Sequence, residues 1–156
     1  MDATTMPSIN SQLTKDFPSF QFEASDDFHW SPNNKTIYFK AGEPNSPLLI
    51  HELSHALLGH DAYASDVALL KMEREAWNKA IDLASRYNIV IKDEVIESHL
   101  DTYREWLHAR STCPTCNANG YQIKKAIYRC LACSCEWKVN EARLCGLKRY
   151  TTKTPL

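Results

Sequence analysis

The chain has 156 residues, a formal net charge of −1, 44% hydrophobic and 24% charged residues, so wholesale disorder is excluded and one domain, or a small domain with an appendage, is expected. The near-neutral total hides an asymmetry. Residues 1–110 carry 10 Lys/Arg against 17 Asp/Glu and no cysteine, whereas residues 111–156 carry 8 Lys/Arg against 2 Asp/Glu and all six cysteines.

Cysteines clustered at one end argue against a secreted, disulfide-stapled fold and for metal binding in a reducing compartment. No apolar run approaches the roughly 20 residues of a spanning helix, so no membrane partner is expected. Met1 to Ser11 lacks the basic start and apolar run of a signal peptide, and the expected location is the cytoplasm.

In chain order, residues 1–16 are polar and read as a frayed leader or a weak first turn. Phe17 to Ala24 alternates aromatic and other residues, which predicts a short strand. Phe28 to Trp30 and Thr36 to Phe39 flank a Pro-Asn-Asn turn and predict a β-hairpin. Ser46-Pro47 opens a helix, with Ser as cap and Pro in the first turn, and Gly59 ends it. A second helix is predicted over about Ser65 to Tyr87, with Leu69, Met72, Ala76, Ala80, Leu83 and Tyr87 on one stripe. A third covers about Asp93 to Ala109, with Ile96, Leu100, Tyr103 and Leu107 on one face. Strand-like runs follow at Tyr121 to Ile123 and Ala126 to Tyr128, and Val139 to Leu147 suggests a last short helix.

The first helix contains His51-Glu52-Leu53-Ser54-His55, an HExxH pattern. Residues four apart share a helix face, so two imidazoles can grip one Zn²⁺. Glu52 then lies beside the metal, placed to take a proton from bound water and pass it to a leaving amine. A catalytic zinc wants a third protein ligand. His60 lies five residues after His55, just past Gly59, and reads as a cap or a supporting group. On the second helix, Glu73 falls about 40° from Leu69, inside the apolar stripe, whereas Glu75 falls about 120° away among charged residues. A carboxylate on an apolar face needs a partner, which favours Glu73 over Glu75 as the third ligand. Tyr63, His60, His99 and Tyr103 are candidates by type for polarising a substrate carbonyl.

HELSHALLGH followed on the next helix by Glu73-Arg74-Glu75-Ala76 resembles the ImmA/IrrE-type zinc metallopeptidases over roughly residues 28–87. The resemblance implies a gluzincin-like peptidase with His51, His55 and Glu73 on zinc and Glu52 as general base. Ser54 stands where that family usually has Gly, and Trp77 where it usually has Asn or Asp. SprT-like metalloproteases, which also combine HExxH with a C-terminal zinc ribbon, are the second resemblance. Such peptidases commonly bind substrate along an edge strand, for which Thr36 to Phe39 is the candidate.

In the tail, Cys113-Pro114-Thr115-Cys116 and Cys130-Leu131-Ala132-Cys133 form two CxxC knuckles, enough for one tetrahedral thiolate zinc site. Cys135 is an alternative to Cys133, and Cys145 is expected to be a buried free thiol. Tyr121, Tyr128, Trp137 and Tyr150 interleave with basic residues, a composition that suits nucleic acid or a docking surface. The expected architecture is therefore α+β. A small zincin-like core over 17–110, with a short antiparallel sheet and three helices, precedes a zinc ribbon with a short C-terminal helix over 111–150. The expected activity is zinc-dependent hydrolysis of an intracellular protein, with one catalytic and one structural zinc. The alternative is a non-catalytic, zinc-stabilised nucleic-acid-binding or adaptor protein.

Overall fold

The computed structural model describes residues 8–143 and 145–155. The fold is α+β, with four helices and two small sheets. Helix α1 (Ile9–Asp16) is followed by strands β1 (Gln21–Ala24), β2 (His29–Ser31) and β3 (Thr36–Phe39). Helices α2 (Pro47–Leu57), α3 (Asp66–Ala84) and α4 (Asp93–Ser111) come next, then β4 (Gly120–Lys124), β5 (Ile127–Cys130), β6 (Glu136–Val139) and β7 (Arg149–Lys153).

The contacts group into two compact units. The first holds the chain up to Ala62 together with Met72–Ile96; the second holds Tyr63–Lys71 together with the chain from Glu97. The end of the cysteine-free part, near residue 111, is therefore the end of α4, not the border of a compact unit.

In the first unit, α1 forms where a frayed leader or a weak first turn is expected, residues 1–7 of that segment lying outside the described residues. Ser8 caps it by accepting from the Ser11 amide, and Ile9 and Leu13, one turn apart, are buried. Two apolar anchors hold an otherwise polar segment, which is why composition hid it. The β2–β3 hairpin forms as expected, with Lys35 in the left-handed region at φ 51°. The sheet is mixed, however. β1 pairs parallel to β3, from Gln21 opposite Thr36 to Ala24 opposite Phe39, and the strand order is β1-β3-β2. β3 is thus central, with Thr36, Ile37 and Phe39 buried, and it is not the edge strand expected for a substrate. β2 and β1 hold the edges.

Helix α2 packs on β2 and β3. It starts at Ser46, whose hydroxyl accepts from the Leu48 amide at 3.2 Å, with Pro47 in its first turn. Leu49, Ile50 and Leu53 are fully buried. α3 ends in a single 3-10 turn at Ser85–Tyr87, closed by Asn88 at φ 54°.

In the second unit, β4-β5-β6-β7 form an antiparallel sheet over a core of Cys113, Ala126, Tyr128, Cys130, Cys135, Trp137 and Val139. Gly120 is required there: a Cβ would lie 2.5 Å from the Arg129 carbonyl oxygen and from the Trp137 ring. No helix forms over Val139 to Leu147 among the described residues. Val139 closes β6, and the Asn140 side chain bridges the turn, donating to the Gly146 carbonyl at 2.9 Å and accepting from the Lys148 amide at 3.0 Å. Gly146 at φ +81° completes the reversal into β7, and Cys145 is exposed, not buried. Every residue of β7 is exposed.

Candidate metal centres

The first unit gathers His51, His55 and Glu73 into a buried group whose ligand atoms all lie within 4.8 Å of one another. His51 Nε2 and His55 Nε2 are 3.1 Å apart, one helix turn separating them on α2. Glu73 reaches both from α3: Oε2 lies 2.9 Å from His51 Nε2, and Oε1 3.4 Å from His55 Nε2. Donors about 2.0–2.1 Å from one tetrahedral ion would be roughly 3.3–3.4 Å apart, so the set fits a metal ion with little movement.

The electrostatics match three mutually dependent groups. Burial opposes ionisation of Glu73, but hydrogen bonds from His51 and His55 and their charge hold its carboxyl far below the usual range. Burial would lower the His55 pKa, yet Glu73 and Glu52 together raise it above 6.5. The Glu75 carboxylate is on a different side chain's business: it lies 3.3 Å from His60 Nε2 and is 45% exposed. The structure therefore brings Glu73, and not Glu75, to the histidine pair.

Glu52 sits beside this group. Its Oε2 accepts from the backbone amide of Trp30 on β2 at 2.9 Å, and burial lifts its pKa from 4.5 to about 7. Because Trp30 N–H points at Glu52, it is not spent on β3, so Glu52 stands at the free side of edge strand β2. Two further side chains pack around this group. The Trp77 indole, one turn beyond Glu73, is buried and stacks on the His51 ring, with centroids 4.2 Å apart. Ser54, fully buried, returns its hydroxyl to the Ile50 carbonyl at 2.7 Å, so it needs no other partner. The i, i+4 spacing of Glu73 and Trp77 was the available signal for the stack. Nothing in composition could have signalled the Trp30 amide.

Of the candidates for polarising a carbonyl, His60 lies beside His55, their Nδ1 atoms 2.9 Å apart. Tyr63, His99 and Tyr103 belong to the second unit. There His99 and Tyr103 line a cavity of about 420 Å³ with Thr102, Arg143 and Cys145.

In the second unit the Sγ atoms of Cys113, Cys116, Cys130 and Cys133 also lie within 4.8 Å of one another. Cys113 and Cys133 are 3.7 Å apart, and Cys116 and Cys130 3.5 Å. Four thiolates about 2.3 Å from one ion would be roughly 3.8 Å apart, so this group also fits a metal. Knuckle amides point at the sulfurs, Thr115 N–H at Cys113 and Ala132 N–H at Cys130. Against burial, the amides of Cys116 and Thr115 bring the Cys113 thiol down to about 6. Cys135 stands outside the group: it is buried in the core and accepts from the Thr115 hydroxyl at 3.4 Å.

The aromatic residues of the tail divide. Tyr128 and Trp137 are buried and stacked in the core, so they are not surface groups. Tyr121 and Tyr150 are exposed; Tyr121 pairs across strands with Arg129, and Tyr150 with Lys138. No family model, characterised protein or solved structure matches the chain. Among the described residues no helix is long and apolar enough to cross a membrane.

Proposed function

We propose that this chain is a zinc-dependent endopeptidase of the gluzincin-like class, acting on a protein in the cytoplasm. The resemblance to ImmA/IrrE-type enzymes, with SprT-like proteases second, favours a regulator or a DNA-bound protein as substrate. The observation that carries the reading is the convergence of His51, His55 and Glu73 with the Glu52 carboxylate beside them at the free side of β2.

His51, His55 and Glu73 would hold the catalytic ion, and Cys113, Cys116, Cys130 and Cys133 a structural one. When bound at the first group, zinc supplies Lewis acidity, polarising a carbonyl and making water ionisable near neutral pH. The chain's own residues do the rest. Glu52, whose burial gives it a proton affinity near neutrality, accepts the proton of the attacking water and returns it to the departing amine. Glu52→Gln should keep the metal and lower cleavage of a quenched-fluorescent peptide library by about 10²–10⁴-fold. Undiminished cleavage with zinc retained refutes the assignment.

The exposed pairs Tyr121–Arg129 and Tyr150–Lys138 support a second reading, a nucleic-acid-binding protein whose peptidase core is only a scaffold. Salt-dependent binding of an oligonucleotide that survives His51→Ala, but is lost on Cys113→Ser with Cys116→Ser, would favour it.

A further inference from the structure

We infer that His60, backed by Glu75, is a positioning residue that fixes the tautomer and orientation of His55; the inference rests on the metal-binding part of the reading above. Its origin is the way α2 ends. Gly59 takes φ +67°, the Gly59 amide donates to the Ala56 carbonyl at 3.1 Å, and the His60 amide donates to the His55 carbonyl at 3.0 Å. This pair of bonds is a Schellman motif, which turns the second residue beyond the helix back onto the residue five before it. Apolar side chains usually meet there. Here two imidazoles meet, Nδ1 to Nδ1 at 2.9 Å. The His60 carbonyl is pinned independently, accepting from the Trp30 indole N–H at 2.9 Å.

Proton counting orients the chain of bonds. His55 faces His51 and Glu73 through Nε2, so a metal there needs the Nε2 lone pair and leaves the His55 proton on Nδ1. That N–H can only donate, so His60 Nδ1 must accept. His60 then carries its own proton on Nε2, which faces Glu75 Oε2 at 3.3 Å. The resulting order is His55 N–H to His60, then His60 N–H to the Glu75 carboxylate. A ligating histidine commonly donates its other N–H directly to a carboxylate or carbonyl, which orients the ring and raises its basicity. In this protein one imidazole is interposed, and the carboxylate at the end is on the surface.

The test is cobalt(II) titration of the full chain. It reads the two groups separately, because only the thiolate group gives sulfur-to-metal charge-transfer absorption. His60→Phe should weaken the His/Glu group about 10–100-fold and leave the thiolate group unchanged. His60→Gln, whose amide oxygen can accept from His55, should recover part of the loss. Glu75→Gln, a surface change that does not threaten folding, should weaken the same group by less, and should add nothing once His60 is Phe. The nearby exposed Asp82→Asn should have no effect. The inference is overturned if Glu75→Gln matches the unaltered chain, or weakens binding equally with and without His60. Because the readout is metal affinity, loss of the peptidase assignment would leave this result standing, and the reverse.

Discussion

At the residue scale, Glu73 and His55 of the first centre favour one another's charged forms. The Glu73 carboxyl is held below 4.5 in the folded chain, so its contribution is present above that pH and is lost as pH falls further. Glu52 and His55 have the opposite sign. Each binds its proton more tightly when folded, so their contributions are complete below 4.5 and 6.5 and are lost as pH rises, through about 7 for Glu52. The metal-free chain should therefore be most stable on the acid side of neutrality and melt at lower temperature on either side. Zinc should reverse the alkaline loss if it binds this group, since binding would need the imidazoles neutral and the carboxylate ionised. Melting curves with and without zinc across pH 4 to 8 check this. A metal-free chain that gains stability steadily up to pH 8 contradicts it.

At the element scale, a buried ion pair links the start of α3 to α4, β4 and β5 within the second unit. Asp66, at the start of α3, accepts from the Arg110 guanidinium of α4 at 2.8 Å and from the Tyr128 hydroxyl of β5, while its amide donates to Gln122 of β4 at 2.8 Å. Arg110 also donates to the Asn140 carbonyl, and its own carbonyl accepts from the Trp137 indole. Burial, and then the hydrogen bond to Asp66 and its charge, raise the Tyr128 pKa well beyond the usual phenol range. Asp66→Asn leaves a buried guanidinium without a counter-charge and should cost about 3–5 kcal/mol. Tyr128→Phe removes one hydrogen bond and should cost about 1 kcal/mol. Denaturant titrations separate the two, and equal costs would contradict the ranking. None of this was legible in the sequence, because Asp66, Arg110 and Tyr128 lie far apart in the chain and each looks ordinary alone. The residues of the two candidate metal groups were legible because helix periodicity and CxxC spacing are local. Glu73 was separable from Glu75 by phase, whereas the central place of β3 depends on β1 crossing to it in parallel, which no local pattern encodes. The turn after Val139, where a helix is expected, has a similar origin: Asn140 bridges it by side-chain bonds that periodicity does not report.

At the scale of the whole molecule, the cysteine-free and cysteine-rich parts each gather one group of residues that could hold a metal ion, and the two differ in donor chemistry. The first unit has an apolar interior of its own, including Leu49, Ile50, Leu53, Ala76 and Trp77. The sheet of the second unit has a small core in which two of the four metal-group cysteines, Cys113 and Cys130, are themselves buried members. A strong chelator should therefore accelerate amide exchange in β4–β7 while α2 stays protected. Metal analysis should give two zinc ions per chain, and one after Cys113→Ser with Cys116→Ser. Protection of β4–β7 that survives removal of all metal would show that the thiolate group is not what holds the sheet.

Strand β7 ends that sheet with a side that no other strand covers among the described residues, and an open strand edge invites a second copy to pair with it. Its sequence, Arg149-Tyr150-Thr151-Thr152-Lys153, discourages this. Two copies meeting antiparallel about Thr151 would set Arg149 against Lys153 twice, like charge facing like charge at cross-strand distance. Like charges facing one another in that register oppose edge-to-edge pairing of β7, whatever else the basic residues of the tail bind.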